Sequence, residues 1–280
     1  MSTTFDPPAK SDCPICHGSG YTFSPRGEYA SASICECVPY CKRCNGMGMR
    51  TITTEHGTRS GRCLCQKLPD RIRLFNRAQI PAIHGKSSLV NFKTVPGSKA
   101  RTHSMIWAAN FASKKEERGF ILSGPVGVGK THLLVGIIKN LIFEHGLAVR
   151  FVEFSRLLSF LRAGYSKGLS DSQLLNELST IPILAIDEIG KGRVSDWELT
   201  IIDEVISRRY NSMKPLIGTT NYKWAPATGT SVPNLSLQNY NELPLGDRVG
   251  SRVFSRLQQM CAFTSVNGDD YRTMGLQRAR

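Results

Sequence analysis

The stretch from Phe120 to Leu134 limits the possible folds of this chain more than any other. Three apolar residues at its start predict the end of a buried strand, and the apolar run 133–142 predicts a helix. Between them, residues 124–131 read Gly-Pro-Val-Gly-Val-Gly-Lys-Thr, which is the pattern G-x-x-x-x-G-K-T. This pattern between a strand and a helix is typical of a phosphate-binding loop. We therefore expect an α/β fold with a nucleotide site.

The chemistry of phosphate binding explains why these residue types stand in the loop. Its glycines let the backbone turn N–H groups towards phosphate oxygens, and the N-terminus of the following helix favours negative charge. Lys130 is expected to reach the β- and γ-phosphates, and the Thr131 hydroxyl to hold Mg²⁺. The predicted nucleotide-binding residues are Gly124, Pro125, Val126, Gly127, Val128, Gly129, Lys130, Thr131 and His132.

A pair of carboxylates follows a second apolar run. Four apolar residues, 183–186, precede Asp187 and Glu188. This order predicts a central parallel strand that is buried on both faces and carries acids at its carboxyl end. We expect Asp187 to hold Mg²⁺ with Thr131, and Glu188 to polarise the water that attacks the nucleotide. The next strand, 216–221, ends in Asn221, which we expect to lie beside that water.

The N-terminal part of the chain contains an internal repeat. The pattern Cys-x-x-Cys-x-Gly-x-Gly followed by Cys-x-Cys occurs twice, with every position recurring 28 residues later. Four cysteines per unit predict a tetrahedral zinc site with no open position, which is typical of structural zinc. The predicted zinc ligands are Cys13, Cys16, Cys35 and Cys37 in the first unit, and Cys41, Cys44, Cys63 and Cys65 in the second.

The spacing leaves the pairing of these cysteines open. Each unit can be a self-contained zinc hairpin, or the two units can share ligands in an interleaved arrangement. The Cys-x-x-Cys-x-Gly-x-Gly element resembles the zinc repeats of DnaJ-type co-chaperones, whose pairing is crossed, although two of the four elements here are Cys-x-Cys. Disulfides are the competing interpretation, but they are rare in cytosolic proteins, whose thiols are kept reduced.

Composition and motifs together divide the chain into four segments. We expect a disordered N-terminus over residues 1–10, a tandem zinc-binding domain with four cysteines per site over 11–68, a basic linker over 69–100 and an ATPase domain over 101–280. The formal net charge is +14, and residues 71–118 hold ten Lys or Arg against two Glu. Such a stretch favours nucleic acid, although a solvated surface also accounts for it. With no signal peptide and no membrane-length apolar run, we expect a cytoplasmic protein.

The C-terminal part predicts a helix, Leu245–Leu257, followed by a strand from Cys261. Arg248, Arg252 and Arg256 are spaced by four residues, which places them on one face of a continuous helix. The sequence therefore predicts one basic face along this helix.

Residues from about 75 to 275 resemble the AAA+ ATPases of the DnaC/IstB group, which are bacterial and phage replicative-helicase loaders and their transposition relatives. The motifs that carry the resemblance are Gln79-Ile80-Pro81 with Asn91-Phe92, the loop Gly124–Thr131, Asp187-Glu188, Thr220-Asn221, Ser255-Arg256-Leu257 with Cys261, and Gly268-x-Asp270-Tyr271-Arg272. The resemblance implies an AAA+ P-loop ATPase with a central parallel sheet, preceded here by a small two-zinc β-hairpin domain.

The resemblance also implies roles for single residues. Asn221 takes the sensor role, and an arginine of the tail helix is the finger that reaches the γ-phosphate of a neighbouring subunit. Arg256 matches the family's Ser-Arg-Leu, but Arg252 also follows a serine, so both are candidates.

The function implied is ATP-dependent loading of a DnaB-like replicative helicase onto single-stranded DNA. ATP, Mg²⁺ and two Zn²⁺ are the expected cofactors, and subunits are expected to assemble as a ring or spiral. On this hypothesis the zinc module grips the helicase, but the sequence does not distinguish protein from DNA as its partner. Two alternatives are a transposition targeting ATPase that acts on duplex DNA and a zinc-dependent, chaperone-like adaptor.

Overall fold

The computed structural model describes residues 5–55, 57–95, 97–166, 171–192, 195–228 and 243–272. Within the chain, residues 1–86 and 141–147 form one compact unit, and residues 87–140 and 148–280 form another. Most of the N-terminus that we expected to be disordered is described, but residues 1–4 lie outside the described ranges. No helix in these ranges combines the length and apolar composition needed to span a bilayer.

The first unit contains two antiparallel β-hairpins, one in each cysteine repeat. A helix, α1, follows the second hairpin and begins just before the stretch expected to be a basic linker. The two hairpins have the same register, because Tyr21 lies opposite Ile34 and Met49 lies opposite Arg62. The elements are β1 (Tyr21–Arg26), β2 (Tyr29–Ile34), β3 (Met49–Thr54), β4 (Gly57–Arg62) and α1 (Lys67–Ala78).

An aromatic cluster holds the first unit together. The rings of Tyr21 and Phe143 are stacked with centroids 4.0 Å apart, and the ring centroid of Phe23 lies 4.9 Å from that of Phe75 in α1. Phe143 belongs to a π-helical turn, Leu141–His145, that is part of this unit. Aromatic side chains bury large apolar areas, so this cluster gives a small unit an apolar core beside its cysteine sites.

The second unit contains a five-stranded, all-parallel sheet. The strands are β5 (Gly119–Ser123), β6 (Val149–Glu153), β7 (Ile183–Asp187), β8 (Leu216–Thr220) and β9 (Cys261–Ser265). Their order in the sheet is β6-β7-β8-β5-β9, with β5 paired to both β8 and β9. Every residue of β5, β7 and β8 is buried, as expected for central strands covered on both faces.

Helices connect these parallel strands, as crossover connections require. The connecting helices are α3 (Lys130–Asn140), α4 (Phe154–Ser166), α5 (Asp171–Thr180), α6 (Asp196–Asn211), α7 (Leu245–Val249) and α8 (Ser251–Met260), and α2 (Ala100–Ala112) precedes β5. The arrangement is that of a P-loop AAA+ α/β fold. The predicted fold class, with cysteine hairpins before the parallel sheet, is therefore confirmed.

The predicted tail helix is not continuous. Gly250 has a φ of 83°, a left-handed conformation that ends α7, and α8 begins at the next residue. The break changes the direction of the chain, so Arg248 does not share a helix face with Arg252 and Arg256. The expectation of one basic face was wrong, because four-residue spacing implies a shared face only along an unbroken helix.

A buried arginine ties together the N-terminal ends of β7 and β8. Arg209 of α6 is fully buried and donates hydrogen bonds to four backbone carbonyls. The acceptors are Leu178 at 2.7 Å, Ile181 at 3.0 Å, Pro182 at 3.1 Å and Pro215 at 2.6 Å. Burial lowers the pKa of Arg209 to about 10. No motif in the chain indicated this role.

Candidate active site and metal centres

The phosphate-binding loop lies between β5 and α3. Gly124 allows a close backbone approach, because a Cβ there would lie 2.0 Å from the carbonyl oxygen of Val266. Gly127 has a φ of 81°, and its carbonyl accepts the N–H of Tyr271 at 3.2 Å. A Cβ on Gly127 would also lie 2.0 Å from the carboxylate of Asp270. The Gly268–Arg272 motif therefore supports the loop from outside.

Lys130 lies inside the loop. This residue is 6% exposed, and its Nζ donates to the carbonyl oxygens of Gly124 at 2.8 Å and Pro125 at 2.5 Å. Burial lowers the pKa of Lys130 to about 8. A buried ammonium at this place provides a concentrated positive charge for the phosphates of a nucleotide.

Thr131 and Asp187 lie together, as the sequence predicts for a pair of Mg²⁺ ligands. The Thr131 Oγ1 donates to the Asp187 carboxylate, with its two oxygens at 3.1 Å and 3.0 Å. Asp187 is 6% exposed, and burial raises the pKa of its carboxyl to about 6. Hydroxyl and carboxylate oxygens are the ligands that Mg²⁺ prefers, so the residues present fit the ion.

The sequence analysis did not find Thr219 of β8. Its Oγ1 donates to Oδ1 of Asp187 at 2.5 Å and accepts the backbone N–H of Glu188 at 2.9 Å. The one hydroxyl thus orients both acidic residues. The available signal was a threonine in the strand next to the acid-bearing strand, two residues before Asn221.

Glu188 follows β7 with a φ of 57°. Its carboxylate accepts a hydrogen bond from Lys191, and the same Lys191 Nζ lies 3.9 Å from the carboxylate of Glu153 at the end of β6. These hydrogen-bonding and charge interactions raise the pKa of Lys191. One cation therefore lies between the predicted catalytic carboxylate and a second carboxylate.

Asn221 lies one residue beyond β8 and is half-buried. Across the described ranges its side chain has no hydrogen bond, so the structure does not join it to Glu188. The neighbouring Thr220 instead donates to the carbonyl of Ile189 at 2.9 Å, and Ser123 donates to the carbonyl of Tyr222 at 2.8 Å. The sensor role of Asn221 stays a prediction.

His132 makes its side-chain contacts away from the loop. Its Nε2 lies 3.0 Å from the carbonyl of Ser88 and 2.9 Å from Oδ1 of Asn91, and its ring packs edge-on against Phe92. Burial lowers the pKa of His132. The Asn91-Phe92 motif therefore anchors the first turn of α3, and a contact of His132 with nucleotide stays a prediction.

The first of the three tail arginines is enclosed within its own subunit. Arg248 is 3% exposed, donates to the carbonyls of Gly190 and Gly192, and lies over the ring of Tyr222. A buried arginine of this kind cannot reach a second subunit.

The two finger candidates both contact Asp203 of α6. Arg256 donates to Asp203 and to Ser207 at 2.6 Å each, and its side chain is 27% exposed. Arg252 lies 3.5 Å from Asp203, and its side chain is 75% exposed. Arg252 is therefore held much more loosely than Arg256.

The eight repeat cysteines form two tetrads. Within each, all four Sγ atoms lie within 4.8 Å of one another, and every cysteine is a free thiol. The Sγ separations include 3.8 Å for Cys13 to Cys35 and 3.7 Å for Cys41 to Cys63. A tetrahedral zinc with bonds of about 2.3 Å holds its sulfurs about 3.8 Å apart. The tetrads therefore fit zinc and do not fit the disulfide interpretation.

The grouping of the sulfurs answers the question of pairing. Each tetrad draws all its members from one repeat, so the sites are self-contained and not interleaved. Backbone N–H groups support them, since Gly48 donates to the Sγ of Cys44 at 3.3 Å. Backbone N–H groups of Cys16 and Ile15 lower the pKa of the Cys13 thiol to about 6. Burial raises the pKa of the Cys37 and Cys65 thiols to about 12, so the pKa values within each tetrad shift in opposite directions and the argument for zinc rests on the sulfur geometry.

Comparisons with known proteins agree with this fold. Residues 52–279 match the family model of the IstB-like ATP-binding proteins. The chain belongs to this family. It contains the DnaC/IstB-type ATPase that the resemblance predicted, and that prediction is confirmed.

Several relatives of this IstB-like protein are replicative helicase loaders. It is 35% identical over 156 residues to the replicative helicase loader DnaC of Escherichia coli (strain K12), a match that covers 53% of this chain and 61% of DnaC. It is 31% identical over 210 residues to DnaC of Buchnera aphidicola subsp. Baizongia pistaciae (strain Bp), covering 71% of this chain and 75% of the relative. The match thus spans less than two thirds of the Escherichia coli relative.

Among solved structures, this IstB-like protein is similar to a crystal structure of the DnaC helicase loader. The TM-score is 0.52 at 25% identity, and the match covers 66% of this chain and 99% of that chain. A crystal structure of a DNA replication initiation factor has a TM-score of 0.50 at 17% identity, covering 69% of this chain and 53% of that one. At that identity the second likeness concerns the fold alone.

Proposed function

We propose that this IstB-like protein hydrolyses ATP and thereby loads a replicative helicase onto single-stranded DNA. The observation that carries the proposal is the contact of Thr131 with Asp187 beside the buried Lys130, in a chain similar to DnaC loaders. A site that only binds nucleotide does not need a second carboxylate, such as that of Glu188, beside Thr131 and Asp187. Its presence supports hydrolysis and not binding alone.

The mechanism assigns a task to each residue. The loop N–H groups and Lys130 bind and orient the phosphates, Thr131 and Asp187 hold Mg²⁺, and Glu188 orients the attacking water and accepts its proton. The metal ion, when bound, neutralises the charge that develops on the phosphate oxygens. Thr219 keeps the Asp187 carboxylate and the backbone of Glu188 in place.

A complete site needs a second subunit in this proposal. An arginine of the α8 helix of one subunit stabilises the γ-phosphate bound by its neighbour, so subunits assemble as a ring or spiral. An arginine supplied in trans accelerates hydrolysis by about 10³–10⁵. ATPase activity is therefore coupled to assembly, and assembly on single-stranded DNA delivers the helicase.

The test combines turnover with loading. Glu188→Gln should abolish ATP hydrolysis while retaining ATP binding, and Lys130→Ala should abolish both without unfolding the chain. Only the unsubstituted chain with ATP should load a DnaB-type helicase onto single-stranded DNA that is covered by a single-strand binding protein. Loading that is indifferent to both substitutions would contradict the proposal.

A second candidate function is a transposition targeting ATPase, which the match to the IstB-like family favours. The two functions differ in the nucleic acid that ATP-bound subunits hold. ATP-dependent binding should prefer single-stranded DNA for a loader and duplex DNA for a targeting factor. Competition between the two DNAs, with ATP and with the Glu188→Gln variant, distinguishes them.

A further inference from the structure

The two cysteine repeats have the same backbone but different surfaces. In the first hairpin, one face carries Tyr21 and Phe23, which pack in the aromatic cluster with Phe75. The repeat places Met49 and Thr51 at the equivalent positions of β3. Both of these residues are exposed. The face that is core in the first repeat is therefore an open surface in the second.

The two cysteine repeats also differ in charge. The first repeat, residues 13–37, contains one basic and two acidic residues, whereas the second, residues 41–65, contains five basic residues and one acidic residue. Both contain four cysteines, so zinc does not alter the difference between them. The five basic residues are Lys42, Arg43, Arg50, Arg59 and Arg62, all of them exposed.

Two of the four arginines are already engaged. Arg43 forms an ion pair with Asp6, and Arg62 lies 2.8 Å from Asp70 of α1. Among the residues that the structure describes, Arg50 and Arg59 form no ion pair or hydrogen bond through their side chains. They lie on the same face of the hairpin as Ile52: Arg50 is two residues before it on β3, and Arg59 is opposite it on β4. This face presents two guanidinium groups to solvent.

The rest of the hairpin suits contact with phosphate. The other face carries Thr51 opposite Ser60 and Thr53 opposite Thr58, beside Met49 and Arg62, so these hydroxyls are not part of the surface that presents Arg50 and Arg59. Arginine side chains are among the usual donors to a DNA backbone, and each hairpin face here offers donors of its own. A shallow cavity beside the cysteine site is lined by Arg43, Met47, Met49, Arg50, Thr51 and Ser60.

The composition of the second repeat also indicates the form of the nucleic acid. Residues 41–65 contain no Phe, Tyr or Trp, and sites for single-stranded DNA rely on such rings to stack unpaired bases. A two-stranded β-ribbon fits the major groove of a duplex, which is about 12 Å wide. A cysteine site at its base would hold this ribbon rigid. These features favour duplex over single-stranded DNA.

We propose that the second repeat, residues 41–65, docks on the sugar-phosphate backbone of duplex DNA through Arg50 and Arg59. The first repeat builds the apolar core of the unit, and the second is free to bind. This surface would hold a loader on duplex next to the single strand that receives the helicase. The inference does not depend on ATP hydrolysis, because none of these residues belongs to the phosphate-binding loop.

The test measures binding of the full chain, without nucleotide, to a labelled random-sequence duplex across a salt series. Replacing both residues, Arg50→Ala with Arg59→Ala, should weaken binding at low salt roughly tenfold and reduce the salt slope by about two, since each backbone contact contributes about 0.9. The matched control, Lys10→Ala with Arg26→Ala, removes two exposed charges from the first repeat and the residues just before it. It should leave the slope unchanged.

Further measurements make the result decisive. Zinc content and ATPase activity of both double variants should equal those of the unsubstituted chain, which separates this inference from the proposed function. Arg50→Lys with Arg59→Lys should keep the salt slope, as contact with a backbone requires. Three results would overturn the proposal: equal losses of duplex binding in the test and control pairs, loss of single-strand binding only, or loss of helicase capture with duplex binding intact.

Discussion

The hydroxyl of Thr219 lies 2.5 Å from Oδ1 of Asp187 and accepts the backbone N–H of the next residue, Glu188. One side chain on β8 therefore fixes both acids at the end of β7. Mutation of a partner that orients a metal ligand typically costs about 10- to 100-fold in metal affinity or activity. The proposed Mg²⁺ site thus includes a residue that touches neither metal nor nucleotide.

Thr219→Val keeps the shape of the side chain but removes this hydroxyl. We expect ATPase activity to fall by about 10- to 100-fold and a higher Mg²⁺ concentration to be needed for half-maximal activity, because loss of such an orienting partner has effects of that size. The matched control is Thr220→Val in the same strand, whose hydroxyl bonds to the Ile189 carbonyl and not to Asp187. If both variants lose the same activity and the same stability, Thr219 acts through the strand and not through Asp187.

Lys191 holds the carboxylate that we propose as the base. The Lys191 ammonium donates a hydrogen bond to a Glu188 carboxylate oxygen, so that oxygen is occupied and less available to an attacking water. We expect Lys191→Met to raise the basal ATPase rate of the unassembled chain several-fold. Steady-state turnover without DNA or helicase measures this, and Lys191→Arg should behave like the unsubstituted chain. A lower rate in Lys191→Met would mean that Lys191 helps hydrolysis.

The exposure of the tail arginines favours Arg252 as the finger, although the Ser-Arg-Leu motif favours Arg256. Arg252 is loosely held and can reach a neighbour, whereas Arg256 bonds to Asp203 and Ser207 within its own subunit. We expect Arg252→Ala to reduce assembly-stimulated ATPase activity by about 10³. Arg256→Ala should instead lower the melting temperature while activity at low temperature is largely kept.

Mixing subunits tests whether the finger acts in trans. Lys130→Ala and Arg252→Ala are each expected to be inactive alone. In a mixed assembly, an intact loop can face an intact arginine, so part of the activity should return. No recovery in mixtures that still assemble would place Arg252 and the loop it serves in the same subunit.

Separate cysteine tetrads predict separate zinc sites. The unsubstituted chain should contain two zinc ions, and Cys44→Ser should lose only the ion of the second repeat, because its ligands come from that repeat alone. Zinc per chain, measured by elemental analysis after gel filtration, should fall from two to one. Loss of both ions would indicate coupled sites. Loss of the ion from the second repeat should also remove the proposed duplex contact.

The features that could be predicted from the sequence share one physical property. The phosphate loop, Asp187-Glu188 and the paired cysteines each place their chemistry within a few neighbouring residues, so spacing alone determines their geometry. Thr219 could not be found this way. The contact of Thr219 with Asp187 exists only because β7 and β8 are adjacent in the sheet, and adjacency of strands is not written in local spacing.

The errors have physical reasons too. A four-residue spacing of arginines suggested one helix face, but the left-handed Gly250 ended the helix between Arg248 and Arg252. The pairing of the cysteines could not be predicted, because self-contained and interleaved hairpins use the same spacing. The sequence already contains the difference in charge and aromatic residues between the two cysteine repeats. That difference could be interpreted only once the structure had shown which face of the first hairpin is buried.

Arg209 provides a test of the fold apart from the active site. Its guanidinium donates to three carbonyls just before β7 and β8 and to that of Leu178 in α5, and Arg209→Met would fill much of the volume without donating to any of them. An unsatisfied buried acceptor costs about 1–3 kcal/mol, so we expect the free energy of unfolding of the second unit to fall by more than about 3 kcal/mol. Denaturant titration of the tryptophan fluorescence of the chain measures the change.

The matched control for Arg209 is the neighbouring residue on the same helix. Arg208 pairs with Glu204 on the surface of α6, four residues earlier. Arg208→Met should cost less than about 1 kcal/mol, because such pairs contribute little. Similar losses in both variants would mean that the four hydrogen bonds of Arg209 contribute no more than a surface pair.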